Sequence, residues 1–497
     1  MQADLKRLFR KSGIYLVGNL LNRLGAFLLL PLYTSQLSVA EYGRLELLYS
    51  LSAVISVVFS AGLAHSTLRF YFDQPEVQKR KQVVTTGLVT ILALSSFGAV
   101  LVYLARVPIA VMLLDSAAYV PALNIVLLIL VLELTTEVGF AYLRARELAV
   151  FYVLVSFTKL LVQVGLSIYF VGVLHMGVLG VLQANLWTVA LGSLVVIGYA
   201  LRHCGLMPDI AMLGQMLRYS IPMALSGIVA SFAGNIDRFL LKDMVSLEAV
   251  GLYGLAMKFA LLLTFVVLEP FQRGYGPFRF SVIGQENATA VQAQAAHYQF
   301  VFAIIAGFGI ALVTPEILHA ITPQSYFSAY TITPILLLGV TVSGLSYCYE
   351  TGILYCKKTQ YLLYINLGTL AIKTGLNLLL IPFWGVYGAA TAYIGANLVN
   401  AILINMVSQR LYPVPFRYAP LIWISTLAVV FYFPSLLFNN WPLFVSIPVK
   451  LVLFLMLIAV IYRIDTPVRT LLDTLWRSGS SIRQWRNIPA AHSRHNK

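Results

Sequence analysis

The chain has 497 residues, of which 59% are hydrophobic and only 11% charged. A soluble domain carries about 25% charged residues, so this composition excludes a soluble fold. The net charge of +15 would suit nucleic acid or a membrane surface, but the basic residues collect in alternate loops and are read as topology signals instead.

Apolar runs of about 20 residues, each long enough for a hydrocarbon core of about 30 Å, recur along the chain. In lipid a backbone must satisfy its own polar groups, so such runs are helices unless they close a barrel. Stretches such as "LVLFLMLIAVIY" lack a barrel's alternation. The expected fold is an all-α polytopic membrane protein. Spans are predicted at 13–34, 45–68, 83–105, 119–142, 149–171, 178–200, 217–241, 250–271, 298–318, 329–354, 361–382, 385–407, 417–435 and 443–462. That makes about 14 transmembrane helices.

In chain order, the first span carries "GNLLNRLGA", which sets Asn19, Asn22 and Arg23 on one helical face. The fourth carries Glu133 and Glu137, the fifth Lys159 and Gln163 four residues apart. The seventh, "GIVASFAGNIDRFLLKDM", aligns Ser231, Asn235 and Arg238, with Asp237 beside them. Lys258 follows in the eighth, Glu350 ends the tenth, and Thr369, Lys373 and Asn377 form a stripe in the eleventh. Ionisable groups at membrane depth usually face a bundle interior or a wet cavity. Arg23, Arg238, Lys159, Lys258 and Lys373 therefore stand as candidate cations for an anionic headgroup. Arginine forks and lysine point charges suit phosphate or pyrophosphate. Asn19, Asn22, Ser231, Asn235, Gln163 and Asn377 would offer polar contacts to sugar hydroxyls. Asp237, Glu133, Glu137 and Glu350 are either ion-coupling groups or counter-ions, Asp237 tempering its neighbour Arg238. His65 is expected to be a satisfied core histidine.

Lys6, Arg7, Arg10, Lys11, Arg69, Lys79, Arg80, Lys81, Arg144, Arg146, Arg202, Arg218, Arg273, Arg279, Lys357, Lys358, Arg410, Arg417 and the tail from Arg463 fall on one side. The other side holds Arg44, Arg106 and Lys242. By the positive-inside rule both termini are cytoplasmic. The longest soluble connection is expected to be the cytoplasmic "RGYGPFRFSVIGQENATAVQAQAAHYQ". The outer loops are too short for a glycosyltransferase or polymerase domain. No HExxH, GxSxG, P-loop or His/Cys cluster occurs, so no enzyme activity, cofactor or metal is expected.

The chain also repeats itself. Ser12 and Ser220, Ser38 and Ser246, Gly43 and Gly251, Gly177 and Gly385, and Gly180 and Gly388 are each 208 apart. Six spans per copy is an even number, so the copies are parallel, related by an axis along the membrane normal. Two pseudo-symmetric six-helix lobes, 1–200 and 201–410, are expected, followed by a helix pair at 411–463 and a basic cytoplasmic tail at 464–497. The four later glycines are assigned to close helix packing.

"NRLGAFLLLPLYTSQLSVAEYGRLELL", "IDRFLLKDMVSLEAVGLYGLAMK" and "GVYGAATAYIGAN" resemble polysaccharide flippases of the multidrug/oligosaccharidyl-lipid/polysaccharide exporter superfamily, over about Ser12 to Gln409. The resemblance implies alternating access in a bacterial inner membrane, moving an undecaprenyl-pyrophosphate-linked oligosaccharide from the cytoplasmic to the outer leaflet. Membrane lipids, glycosyltransferases and a polysaccharide polymerase would be its partners, with no nucleic acid. A lipid II flippase and an ion-coupled multidrug/cation antiporter stay open as alternatives; Arg23 in the first span counts against drug export.

Overall fold

A computed structural model describes residues 25–473, except 26, 61, 284, 440 and 472. It is helical throughout, and no strand occurs among the described residues. The helices are α1 Leu30–Gln36, α2 Val39–Ser60, α3 Leu63–Asp73, α4 Val77–Leu104, α5 Arg106–Leu114, α6 Val120–Ala145, α7 Ala149–Ser167, α8 Gly177–Cys204 and α9 Ile210–Met244. The chain continues with α10 Leu247–Leu263, α11 Glu269–Ser281, α12 Ala288–Ile321, α13 Ala329–Tyr349, α14 Thr351–Tyr355, α15 Gln360–Trp384, α16 Val386–Leu411, α17 Tyr418–Leu436 and α18 Leu443–Ile464. Wider π-helical turns at Ile168–Val173 and Thr264–Leu268 extend α7 and join α10 to α11.

Thirteen stretches among the described residues are long and apolar enough to cross a membrane. They match the expected second to fourteenth spans, so this is a multi-pass membrane protein. Most of the expected first span lies outside the described residues.

Two local features refine the expected elements. The supposed long cytoplasmic connection is mostly helix: α11 runs to Ser281 and α12 begins at Ala288. A helix has no reason to end where lipid ends, because its backbone bonds are as well satisfied in water. The second span is not continuous either. It is interrupted at Gly62, which takes φ 66°. That left-handed conformation costs a glycine little and other residues more.

Four of the glycines paired by the offset of 208 share local features. Gly177 and Gly385 both precede or open their helices with left-handed φ, 56° and 53°. Gly43 and Gly251 pack on each other: a Cβ on Gly43 would lie 2.0 Å from the Leu247 carbonyl oxygen, and one on Gly251 2.4 Å from that of Val39.

By contacts the chain divides into two compact units. One comprises Met1–Met257, Leu318–Ile332 and Leu363–Ala396; the other Lys258–Ile317, Thr333–Leu362 and Asn397–Lys497. In the first, Leu63, Val84, Leu88, Leu134 and Met216 knit α3, α4, α6 and α9 into an apolar core. Asp209 caps α9, its Oδ1 accepting from Ala211 N–H at 2.8 Å and Met212 N–H at 3.3 Å. In the second unit Lys450 of α18 meets Glu316 of α12 at 2.5 Å and donates to Asn439 at 2.7 Å. His297 and Asp465 pair at 3.0 Å, both buried. Polar and ionisable groups removed from water need such partners.

Candidate functional site

A cavity of about 910 Å³ opens among α2, α3, α6, α7 and α8 in the first unit. A smaller space of about 230 Å³ shares His65 and Glu137 with it. From α2 come Tyr49, Ser52, Ser56 and Ser60, spaced three to four apart and hence on one face. The break at Gly62 turns the chain, and α3 then presents His65 in its first turn, its N–H bonded to the Gly62 carbonyl at 3.1 Å. Irregular backbone at membrane depth is tolerated where it lines a cavity. From α6 come Glu133, Glu137 and Arg144, again one face; α7 adds Tyr152 and Lys159, and α8 adds Asn185.

Lys159 neighbours Glu133, while Arg144 and His65 neighbour Glu137. No ion pair within 4.0 Å joins Glu133, Glu137 or Lys159 to a partner among the described residues, so these groups face the cavity rather than seal one another. The Lys159 stem crosses α8 at Gly192, where a Cβ would come within 2.8 Å of its Cδ. The ammonium sits 6.0 Å from the Phe140 ring centre.

A second polar group in the same unit is closed. Lys373 of α15 pairs with Asp237 of α9 at 2.7 Å and donates to the Ala233 carbonyl at 2.5 Å. Asn377 donates to Asp237 Oδ1 at 2.7 Å, and the Tyr253 hydroxyl donates to Oδ2 at 2.9 Å. Asp237, Asn377 and Lys373 are all buried. Next to them Arg238 meets Glu46 of α2 at 3.5 Å. Asp237 therefore answers Lys373, not Arg238 as expected: the two neighbours on α9 point to different helices, a pairing across about 140 residues that local spacing does not reveal.

The remaining expected residues scatter. Ser231 donates to the Ala53 carbonyl at 3.2 Å, and Asn235 to the Ser231 carbonyl at 2.9 Å. Gln163 donates to Ser167 at 3.2 Å, which also bonds Tyr33 at 2.9 Å. Lys258 and Glu350 belong to the second unit, where Glu350 neighbours Arg279. Asn19, Asn22 and Arg23 lie outside the described residues. Of the five candidate cations, the cavity holds Lys159; Lys373 and Arg238 are engaged in ion pairs. His65 is exposed on the cavity wall rather than satisfied in a core, because the break at Gly62 exposes the first turn of α3. Arg144 reads from the sequence only as a loop charge. Sequence reasoning also misses Ser52, Ser56, Ser60 and Glu46, although the serines recur every four residues.

The model of one family, described as "Polysaccharide biosynthesis protein", matches residues 8–277. The chain belongs to that family. No curated protein sequence matches it. Among solved structures it is similar to a lipid II flippase, MurJ, in an inward closed conformation: 12% identity, 92% of this chain and 99% of that one, TM-score 0.71. It is also similar to an inward-facing multidrug resistance MATE family transporter of the MOP superfamily, at 16% identity over 80% and 94% of the chains, TM-score 0.59. A third is the MATE multidrug transporter DinF-BH, at 18% identity over 82% and 95%, TM-score 0.56. At such identities the likeness is one of fold. The family member described here thus has a fold shared by flippases and transporters.

Proposed function

We propose that the protein is a flippase that moves a polyprenyl-pyrophosphate-linked oligosaccharide from the cytoplasmic to the outer leaflet of a bacterial inner membrane. Both termini lie in the cytoplasm, and two lobes, 1–200 and 201–410, rock about the cargo. Helices at 411–463 and the basic tail from 464 complete the chain. The observation that carries the reading is the first-unit cavity, where Lys159 and Arg144 stand among Ser52, Ser56, Ser60, Asn185 and Tyr49. Cations suit the pyrophosphate, hydroxyl and amide groups suit sugar, and about 910 Å³ is the scale of a ligand site. The polyprenyl chain stays in lipid. Arg23, Asn19 and Asn22 join the proposal on sequence grounds alone.

Two other readings draw on specific observations. A lipid II cargo is favoured by the similarity to MurJ, which covers 92% of this chain against 80% for the MATE transporter. Cation-coupled drug export is favoured by Glu133 and Glu137 in the cavity wall. One experiment separates all three: delete the gene, then measure lipid-linked saccharides in extracted membranes by mass spectrometry, with surface polysaccharide and drug susceptibility alongside. Accumulation of one polyprenyl-pyrophosphate oligosaccharide, reversed by complementation, supports the proposal. Accumulated lipid II supports the first alternative. Unchanged lipids with new sensitivity to cationic drugs support the second.

A further inference from the structure

Two spaces in the first unit meet at a shared wall. The larger, about 910 Å³, is lined by charged, hydroxyl and amide groups, and the smaller, about 230 Å³, adjoins it. Ser60, Ala64, His65 and Glu137 line both and so mark the join. Beyond the join the lining turns apolar: Leu63, Ile91, Val138 and Ala224 line the smaller space and not the larger. Gly62 and Gly227 line it as well, and residues without side chains leave it open.

The join has its own chemistry. Glu137 and His65 are both exposed, and among the described residues neither side chain has a hydrogen-bond partner. Ser60 donates to its own helix, to the Val57 carbonyl at 3.3 Å. A carboxylate accepts and an imidazole N–H donates, so together they complement a group that holds an N–H and a C=O side by side. A secondary amide is such a group. Its alkyl end would pass the join into the apolar lining, while the body that carries it stays in the polar cavity. A bare hydrocarbon chain passing the same join would desolvate the carboxylate and return no hydrogen bond.

We infer that the smaller space is an acyl subsite: it takes the N-acyl group of an amino sugar, with Glu137 accepting from the amide N–H and His65 donating to the amide carbonyl. The inference rests on the flippase reading and names a class of sugar that the reading leaves open. Volume adds a second mark. A water-sized group takes about 30 Å³, so about 230 Å³ exceeds what an acetyl group fills, and a longer acyl chain should also fit.

The test is titration calorimetry of the full-length purified protein with farnesyl-pyrophosphate-linked glucose, N-acetylglucosamine and N-butanoylglucosamine. The acetyl form is expected to bind about tenfold tighter than the glucose form, the worth of one or two net hydrogen bonds. The butanoyl form, with further CH₂ groups to bury, is expected to gain about tenfold again. Ala224→Leu, which fills the smaller space from α9, is expected to remove both differences. Ile91→Phe fills it from α4 and serves if the first variant folds poorly. Equal binding of the three sugars, with Lys159→Ala still weakening all of them, overturns the acyl subsite and leaves the flippase reading standing. A butanoyl form weaker than the acetyl form, or a preference that survives both filling substitutions, does the same. No binding of any of the three overturns both.

Discussion

Two polar groups in the first unit solve the same problem in opposite ways. Glu133, Glu137, Arg144, Lys159 and His65 line a cavity. Asp237, Lys373, Asn377 and Tyr253 are closed on one another, and every distance is 3 Å or less. Both sets place ionisable residues inside apolar helices, so a hydropathy profile cannot tell them apart. The lesson is that charge at membrane depth marks either a site or a rivet. What distinguishes them is whether the partner is already in the chain.

The contrast can be broken most forcefully at the closed cluster. Lys373→Met leaves Asp237 buried and unpaired, and unfolding in detergent is expected to show a loss of about 3–5 kcal/mol. Pairing it with Asp237→Asn is expected to recover most of that. At the cavity, Lys159→Ala is expected to leave the melting temperature nearly unchanged and to weaken cargo binding by about 10- to 100-fold, the worth of a charge-assisted hydrogen bond of roughly 1.5–3 kcal/mol. Gly192→Ala is expected to shift the Lys159 stem and weaken binding by about threefold. Because both changes act on one group, the double variant should be no weaker than Lys159→Ala alone. Smallest of all, Glu133→Gln and Glu137→Gln are expected to alter stability by under about 0.5 kcal/mol, as at a hydrated surface. A loss as large as that at Lys373 would erase the distinction between the two groups.

Span positions were legible because they depend on one quantity, the length of an apolar run. Where helices continue past the apolar run, as α11 and α12 do, that quantity is silent. The offset of 208 singled out Gly43 and Gly251, which approach each other's backbones. Lys159 was recognisable as a candidate from its charge alone. The partner of Lys373 was not, since Asp237 lies on another helix and the nearer cation in sequence is Arg238. Ser52, Ser56 and Ser60 were readable as a stripe, but serine in an apolar helix bonds its own backbone so readily that it gives little signal; Ser56 and Ser60 do so here, to Ala53 and Val57. The break at Gly62, and with it the exposure of His65, depends on one backbone angle that composition does not encode.

Gly43 and Gly251 carry one more consequence. Each abuts the backbone that carries the other, so a side chain gained at either position would press on the same crossing. Neither residue has a side chain left to give up, so a gain at one cannot be offset by a loss at the other. The crossing has no compensating substitution within the pair.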